Sequence, residues 1–194
     1  SIYYNLGVTN KYNGNIELAQ KYYKKSLDSD KEHFGIDGIN TNRSNVLSAL
    51  GRIYFEKRDF DKAEKYYIDS IKYQKKLFGN DTPKIFHEQY GLAQIAREKK
   101  DNKKALFLIH DYVNNAKRLY GENDLTYATS LSDFSVFTYM ENDGSKKLYP
   151  DAYSASFKSL SIFRDNYFNP KHDLDKDLLR QISSDYKIPN RHLD

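Results

Sequence analysis

Apolar side chains recur at helical spacing along most of the chain, in blocks closed by short polar turns. The clearest block runs from Leu47 to Gly79. Its first part places Leu47, Leu50, Gly51 and Tyr54 on one side of a helix. Its second part does the same with Ala63, Tyr66, Tyr67, Ser70, Ile71, Leu77 and Phe78. Lys57-Arg58-Asp59 is the turn between them. One such helical hairpin cannot bury both of its apolar faces, so it needs neighbours of the same shape.

The chain supplies them. Leu6-Gly7 and Leu50-Gly51 lie 44 residues apart, as do Ala19 and Ala63, Tyr22-Tyr23 and Tyr66-Tyr67, Ser26 and Ser70, and Gly35 and Gly79. The next step is 42 residues, from Ala63 to Ala105 and from Gly79 to Gly121. The second helices share the spacing i, i+3, i+4, i+7, i+8, filled in turn from Ala19, Ala63 and Ala105. A fourth set, Ala152/Ala155/Ser156/Ser159/Leu160, comes 47 residues after the third. About five inserted residues are therefore expected, within 142–147. Helices are predicted over about 2–12, 16–34, 44–57, 60–78, 83–99, 102–120, 124–141 and 150–167. Phe34-Gly35, Phe78-Gly79 and Tyr120-Gly121 end the second helices, where a left-handed glycine is expected. Beyond Asn169-Pro170, Leu174, Leu178, Ile182 and Tyr186 form one stripe, expected to be a capping helix over about 169–187 before a loose tail at 188–194.

Leu50-Gly51, Tyr54, Ala63, Tyr67 and Ser70 sit at the signature positions of the tetratricopeptide repeat (TPR), and the chain resembles that family over roughly residues 1–167. The 42–44-residue period and the link Leu77-Phe78-Gly79-Asn80-Asp81-Thr82-Pro83 resemble the longer variety found in kinesin light chains. The resemblance implies an all-α fold, a right-handed α-α superhelix (TPR solenoid) of four helical hairpins plus the C-terminal cap. The hairpins would span about 1–35, 43–79, 83–121 and 124–168.

The resemblance also implies that first helices line a concave groove. Its positions would be Tyr4, Asn5 and Val8 in the first repeat and Asn45, Ser48, Arg52 and Phe55 in the second. The third supplies His87, Tyr90, Gln94 and Arg97, and the fourth Thr129, Ser132, Val136 and Tyr139. Aromatic rings beside amide and guanidinium donors suit an extended or helical peptide. Arg52, Tyr90 and Arg97 stand out as contact residues. Ala49, Gly91 and Asp133 replace the groove asparagine that Asn5 matches, which argues against an asparagine ladder. Val8 and Arg52 follow the glycine where the chaperone-type carboxylate clamp has asparagine, so an EEVD-like terminus is not the expected ligand.

Composition narrows this picture little. Of 194 residues, 31 are basic and 27 acidic, a net charge of +4 with both signs interspersed. The mean hydropathy of −0.85 is low for a compact globule and suits a thin helical array. There is no cysteine, hence no thiol chemistry. The five histidines are dispersed, with no metal-ligand spacing and no phosphate-binding glycine loop. No enzyme activity, metal or cofactor is expected. Pairs such as Lys99-Lys100 and Lys103-Lys104 fall at helix ends and turns, interrupted by Glu98 and Asp101. That pattern is helix-end electrostatics rather than a nucleic-acid ridge. No apolar run approaches a membrane span. The Lys, Asn, Asp and Tyr bias points to an AT-rich, bacterial genome, and the start at Ser1 inside a helical pattern reads as an excised segment. The expected function is a protein-interaction module for a peptide or partner segment. The alternative is a sensory domain of a peptide-responsive regulator.

Overall fold

The computed structural model of the chain describes residues 2–35, 40–140 and 149–167. These form eight α-helices and no strand: α1 (Ile2–Tyr12), α2 (Ile16–Phe34), α3 (Thr41–Glu56), α4 (Phe60–Phe78), α5 (Phe86–Glu98), α6 (Asn102–Tyr120), α7 (Leu125–Met140) and α8 (Tyr149–Tyr167). The inserted stretch 142–147, the expected capping helix and the tail lie outside the described residues. Two compact units divide the chain, Ser1–Leu108 and Ile109–Asp194, with the boundary inside α6.

In the first unit α1 packs on α2 and α3 on α4, while α2 also meets α3 and α4 meets α5. The hairpin turns share one design. In each, an i→i−5 backbone bond closes the first helix: Asn15 N–H to Asn10 O, Asp59 N–H to Tyr54 O and Asp101 N–H to Ala96 O, all at 2.8–2.9 Å. The residue before it is left-handed: Gly14 (φ 78°), Arg58 (φ 59°) and Lys100 (φ 61°). This is a Schellman cap. In two turns the next residue also caps the second helix, since Asp59 accepts from the Lys62 N–H and Asp101 from the Lys104 N–H.

The buried stripe of the second helices is narrower than the sequence template. It runs i, i+4, i+7, i+11: Ala19, Tyr23, Ser26 and Asp30 in α2, then Ala63, Tyr67, Ser70 and Gln74 in α4. Tyr66, Ile71 and Leu77 are half-buried. Phe78, expected inside, is 43% exposed, with the Lys84 ammonium 4.5 Å from its ring centroid. The closing glycines also differ from expectation. Gly35 (φ 72°, ψ 177°) and Gly79 (φ 85°, ψ 171°) have positive φ with extended ψ, a region essentially restricted to glycine, rather than the left-handed helical one.

Close approach of the hairpins depends on glycine against tyrosine. A Cβ on Gly51 would stand 2.6 Å from the Tyr67 ring, and one on Gly91 would stand 2.5 Å from the other edge of the same ring. Tyr67 is thus held between the first helix of its own hairpin and α5. Gly7 meets Tyr23 in the same way, at 2.5 Å.

Two element starts differ from the sequence reading. Helix α3 begins at Thr41, not at about 44, because the Asn40 side chain accepts from the Asn42 N–H at 2.9 Å and caps it. The start of α3 is tied to the end of α2: Asn40 Nδ2 donates to Asp30 and Arg43 donates to the Gly35 carbonyl. The segment expected as one helix from Pro83 is a 3-10 turn, Pro83–Ile85, followed by α5.

In the second unit α7 packs on α8. The buried side of α7 carries Tyr127, Ala128, Leu131, Phe134 and Phe137, and that of α8 carries Ala152, Ala155, Ser159 and Ile162. Ser159 Oγ donates to the Ala128 carbonyl at 2.7 Å, as Ser70 Oγ approaches the Ser44 carbonyl at 3.1 Å. The first helices are thus offset by 84 residues (44 to 128) and the second by 89 (70 to 159). The difference is five residues, and it falls between α7 and α8.

Candidate functional groove

Within the first unit a groove of about 550 Å³ opens between α1, α3 and the start of α5. Helix α1 gives it Tyr4, Val8, Lys11 and Tyr12, and α3 gives Asn45, Ser48, Ala49 and Arg52. Lys84, His87 and Glu88 close one end, and Tyr23 and Gln74 of the second helices line its floor. First helices line the cavity because their stripe faces α2 and α4, which leaves positions either side of the small residues turned outward.

Three cations stand on the walls. Lys11 lies 3.4 Å from the Glu56 carboxylate, and Arg52 Nε lies 3.6 Å from the same oxygen. Burial, together with the nearby Arg52 charge, lowers the pKa of the Lys11 ammonium, and Glu56 partly offsets this. Lys84 caps the Phe78 ring. The His87 ring meets Tyr67 edge-on at 6.2 Å. Beneath them the Tyr67 phenol is pushed up to about 12 by burial, helped by the Glu88 carboxylate. The walls therefore carry Lys11, Arg52 and Lys84 against Glu88. Glu56 pairs with Lys11 and Arg52 from beside the groove, so the local surplus is a single positive charge, while Tyr4 and Tyr12 offer apolar rings.

Of the groove positions selected from sequence, Tyr4, Val8, Asn45, Ser48, Arg52 and His87 come together here. Asn5 is exposed on α1. Tyr90, Gln94 and Arg97 are half-buried on α5 and do not line this cavity. Ser132 is exposed on α7 in the second unit. The sequence reading passed over Lys11, Tyr12, Gln74, Lys84 and Glu88. A signal for Gln74 was present: it is a polar side chain at the next position of the Ala63–Tyr67–Ser70 stripe, one turn beyond Ser70.

The turn lysines have assigned partners. Lys57 donates to Glu17 (2.6 Å) and Gln20, and 42 residues later Lys99 donates to Asp61 and Glu64, both at 2.7 Å. Lys104 also reaches Glu64, at 2.6 Å. These lysines tie each turn to the second helix of the preceding hairpin. Among the described residues no cluster of three or more His, Cys, Asp or Glu side chains could hold a metal ion, and no helix is long and apolar enough to cross a membrane.

Comparison with known proteins bears on the fold. Residues 1–33 and 44–84 each match a model described as tetratricopeptide repeat. No curated protein sequence matches the chain significantly. Among solved structures, BtubC (BKLC) from P. vanneervenii is similar at a TM-score of 0.69 and 19% identity, over 94% of this chain and 69% of that one. A Rap protein complexed with Competence and Sporulation Factor is similar at a TM-score of 0.63 and 15% identity, over 95% of this chain and 48% of that one. A kinesin light chain with nearly identical TPR-like repeats from Podosopora anserina is similar at a TM-score of 0.58 and 12% identity, over 94% and 92%. At these identities the likeness is one of fold, the TPR solenoid class.

Proposed function

We propose that this chain, whose residues 1–33 and 44–84 match the tetratricopeptide repeat, binds a peptide or extended segment of a partner protein in the groove of α1, α3 and α5, with no chemistry of its own. The observation that carries this is the convergence of Tyr4, Asn45, Ser48, Arg52 and His87 on one cavity with Lys11 and Lys84. Rings with cations and amides around a concave surface can take the apolar anchors, carboxylates and backbone groups of a peptide.

The two arginines separate this groove from the rest of the first-helix surface. Arg52 lines the cavity and Arg97 does not. Peptides selected on the whole chain from a random library should bind Arg52→Ala about tenfold or more weaker, and Arg97→Ala nearly as wild type. A selected peptide that ignores Arg52→Ala would place binding elsewhere.

A regulatory use of the same groove is the second reading. Fold likeness to a Rap protein in complex with Competence and Sporulation Factor favours it. In that reading the bound peptide alters the protein beyond the groove, whereas a scaffold responds only locally.

A further inference from the structure

At one end of the groove the chain buries a carboxylate and gives it no cation. Glu88 is 1% exposed, Gln74 is 4% exposed and Ser70 is fully buried. One oxygen of Glu88 is well served, with Ser70 Oγ at 2.9 Å and Gln74 Nε2 donating at 3.1 Å. The other, Oε2, has no hydrogen bond, and neither has Gln74 Oε1. Both side chains line the groove.

The local donors are already committed. Ser70 has one hydroxyl hydrogen, and the Ser44 carbonyl competes for it at 3.1 Å. The Gln74 amide hydrogens point to Ser70 Oγ and to Glu88 Oε1. The cluster thus presents two acceptor oxygens and no spare donor. The groove cations are held elsewhere: Lys11 and Arg52 pair with Glu56, and Lys84 lies over Phe78. No ion pair reaches Glu88 among the described residues. Glu88 stands in the first turn of α5, where the helix dipole favours a negative charge. That offsets part of its burial but leaves Oε2 without a donor. An uncompensated buried carboxylate is costly, and the cost is recovered when a cation bearing several N–H donors is delivered to it.

We propose that Glu88, seconded by Gln74, is the subsite that takes a cationic group of the bound peptide, a primary ammonium or a guanidinium. This rests on the peptide-binding reading above. The peptide recognised is then bipolar: its cation enters at Glu88, and its carboxylates face Lys11 and Arg52. The cation has two possible sources, a Lys or Arg side chain or the free N-terminus.

The experiment begins with a random peptide library, displayed with free N-termini and selected on the whole chain. An enriched peptide is synthesised with a fluorophore at its C-terminus, and its affinity is read by polarisation. Three neutralised forms accompany it: Arg to citrulline, Lys to norleucine, and an acetylated N-terminus. One of these should lose about tenfold or more on the wild-type chain, and which one identifies the source of the cation. The same neutralisation should cost less than about threefold on Glu88→Gln, because the charge it pairs with is gone. Gln74→Met gives a second comparison with the carboxylate kept, and should weaken the parent peptide while preserving its dependence on charge.

The proposal is overturned if every neutralised peptide binds the wild-type chain like its parent, or if Glu88→Gln shows the same dependence as wild type. If that happens while Arg52→Ala still abolishes binding, the groove reading stands and the subsite falls. If no peptide is enriched, or the enriched ones ignore Arg52→Ala, both fall. The neutralised peptides act on the unaltered chain, so the test does not depend on a variant folding.

Discussion

At the scale of single residues, Tyr67 concentrates the packing of the first unit. It is 2% exposed, with glycines against two edges of its ring and Glu88 near its hydroxyl. The close approach of α3 and α5 to this ring requires that neither carries a Cβ there. Gly91→Ala would place a methyl group 2.5 Å from one edge of the ring, while α3 already stands against the opposite edge at Gly51. Overpacking of this kind costs about 1–3 kcal/mol. Chemical denaturation of Gly91→Ala should show a loss in that range, and a variant as stable as wild type would mean that α5 can lift off Tyr67. Tyr67, Gly51 and Ser70 were legible from sequence because the repeat fixes their positions. Glu88 and Gln74 were not legible as a site. A lone Glu in a helix's first turn and a Gln on a stripe each look ordinary until two helices bring them to 3.1 Å. Phe78 failed in the opposite direction. Its spacing fits the stripe, but α4 ends there and its ring stays outside under Lys84.

At the scale of elements, the hairpin turns do two jobs, ending one helix and joining the next repeat to the last. Lys99 and Lys104 converge on Glu64 in the first turns of α4, and together they hold its carboxyl below the usual carboxylate value of 4.5, outweighing the opposing effect of burial. A depressed carboxyl contributes stability in full above its unfolded value. That stability is lost as pH falls through the lower folded value. Replacing both lysines with methionine should therefore cost about 0.2–1 kcal/mol for each partly exposed pair near pH 7, with the gap to wild type closing below about pH 4.5. Thermal melts across that range read it directly, and a gap that stays constant into acid would show that the lysines act through packing. Helix ends were legible wherever a capping side chain and its turn share one short run, as at Asp59 and Asp101. They were not legible at α3, where Gly35, Gly38, Asn40 and Asn42 all look like linker and only the bond from the Asn42 N–H to Asn40 selects the cap. Nor was the 3-10 turn at Pro83 visible, since a Pro after Thr82 suits the first turn of either helix type.

At the scale of the whole molecule, the proposed groove belongs entirely to Ser1–Leu108, while α7 and α8 form their own buried face in the second unit. Helical-repeat chains gain stability mainly from each hairpin and its nearest neighbours. A ligand that binds only the folded groove stabilises the elements that form it, by an amount set by its concentration relative to its Kd. Whether that gain travels further depends on how strongly α6 couples the units, and this is where the scaffold and regulatory readings part. We expect the local outcome. With a selected peptide at saturation, hydrogen exchange should slow in α1, α3 and the start of α5, and stay unchanged in α7 and α8. The packing supports this expectation: the floor residues Tyr23 and Gln74 sit on α2 and α4, so the groove is closed by helices of its own unit. Equal slowing in α7 and α8 would show that the array folds as one cooperative body. It would also favour the regulatory reading, because a signal from the groove would then have a route to the far end of the chain.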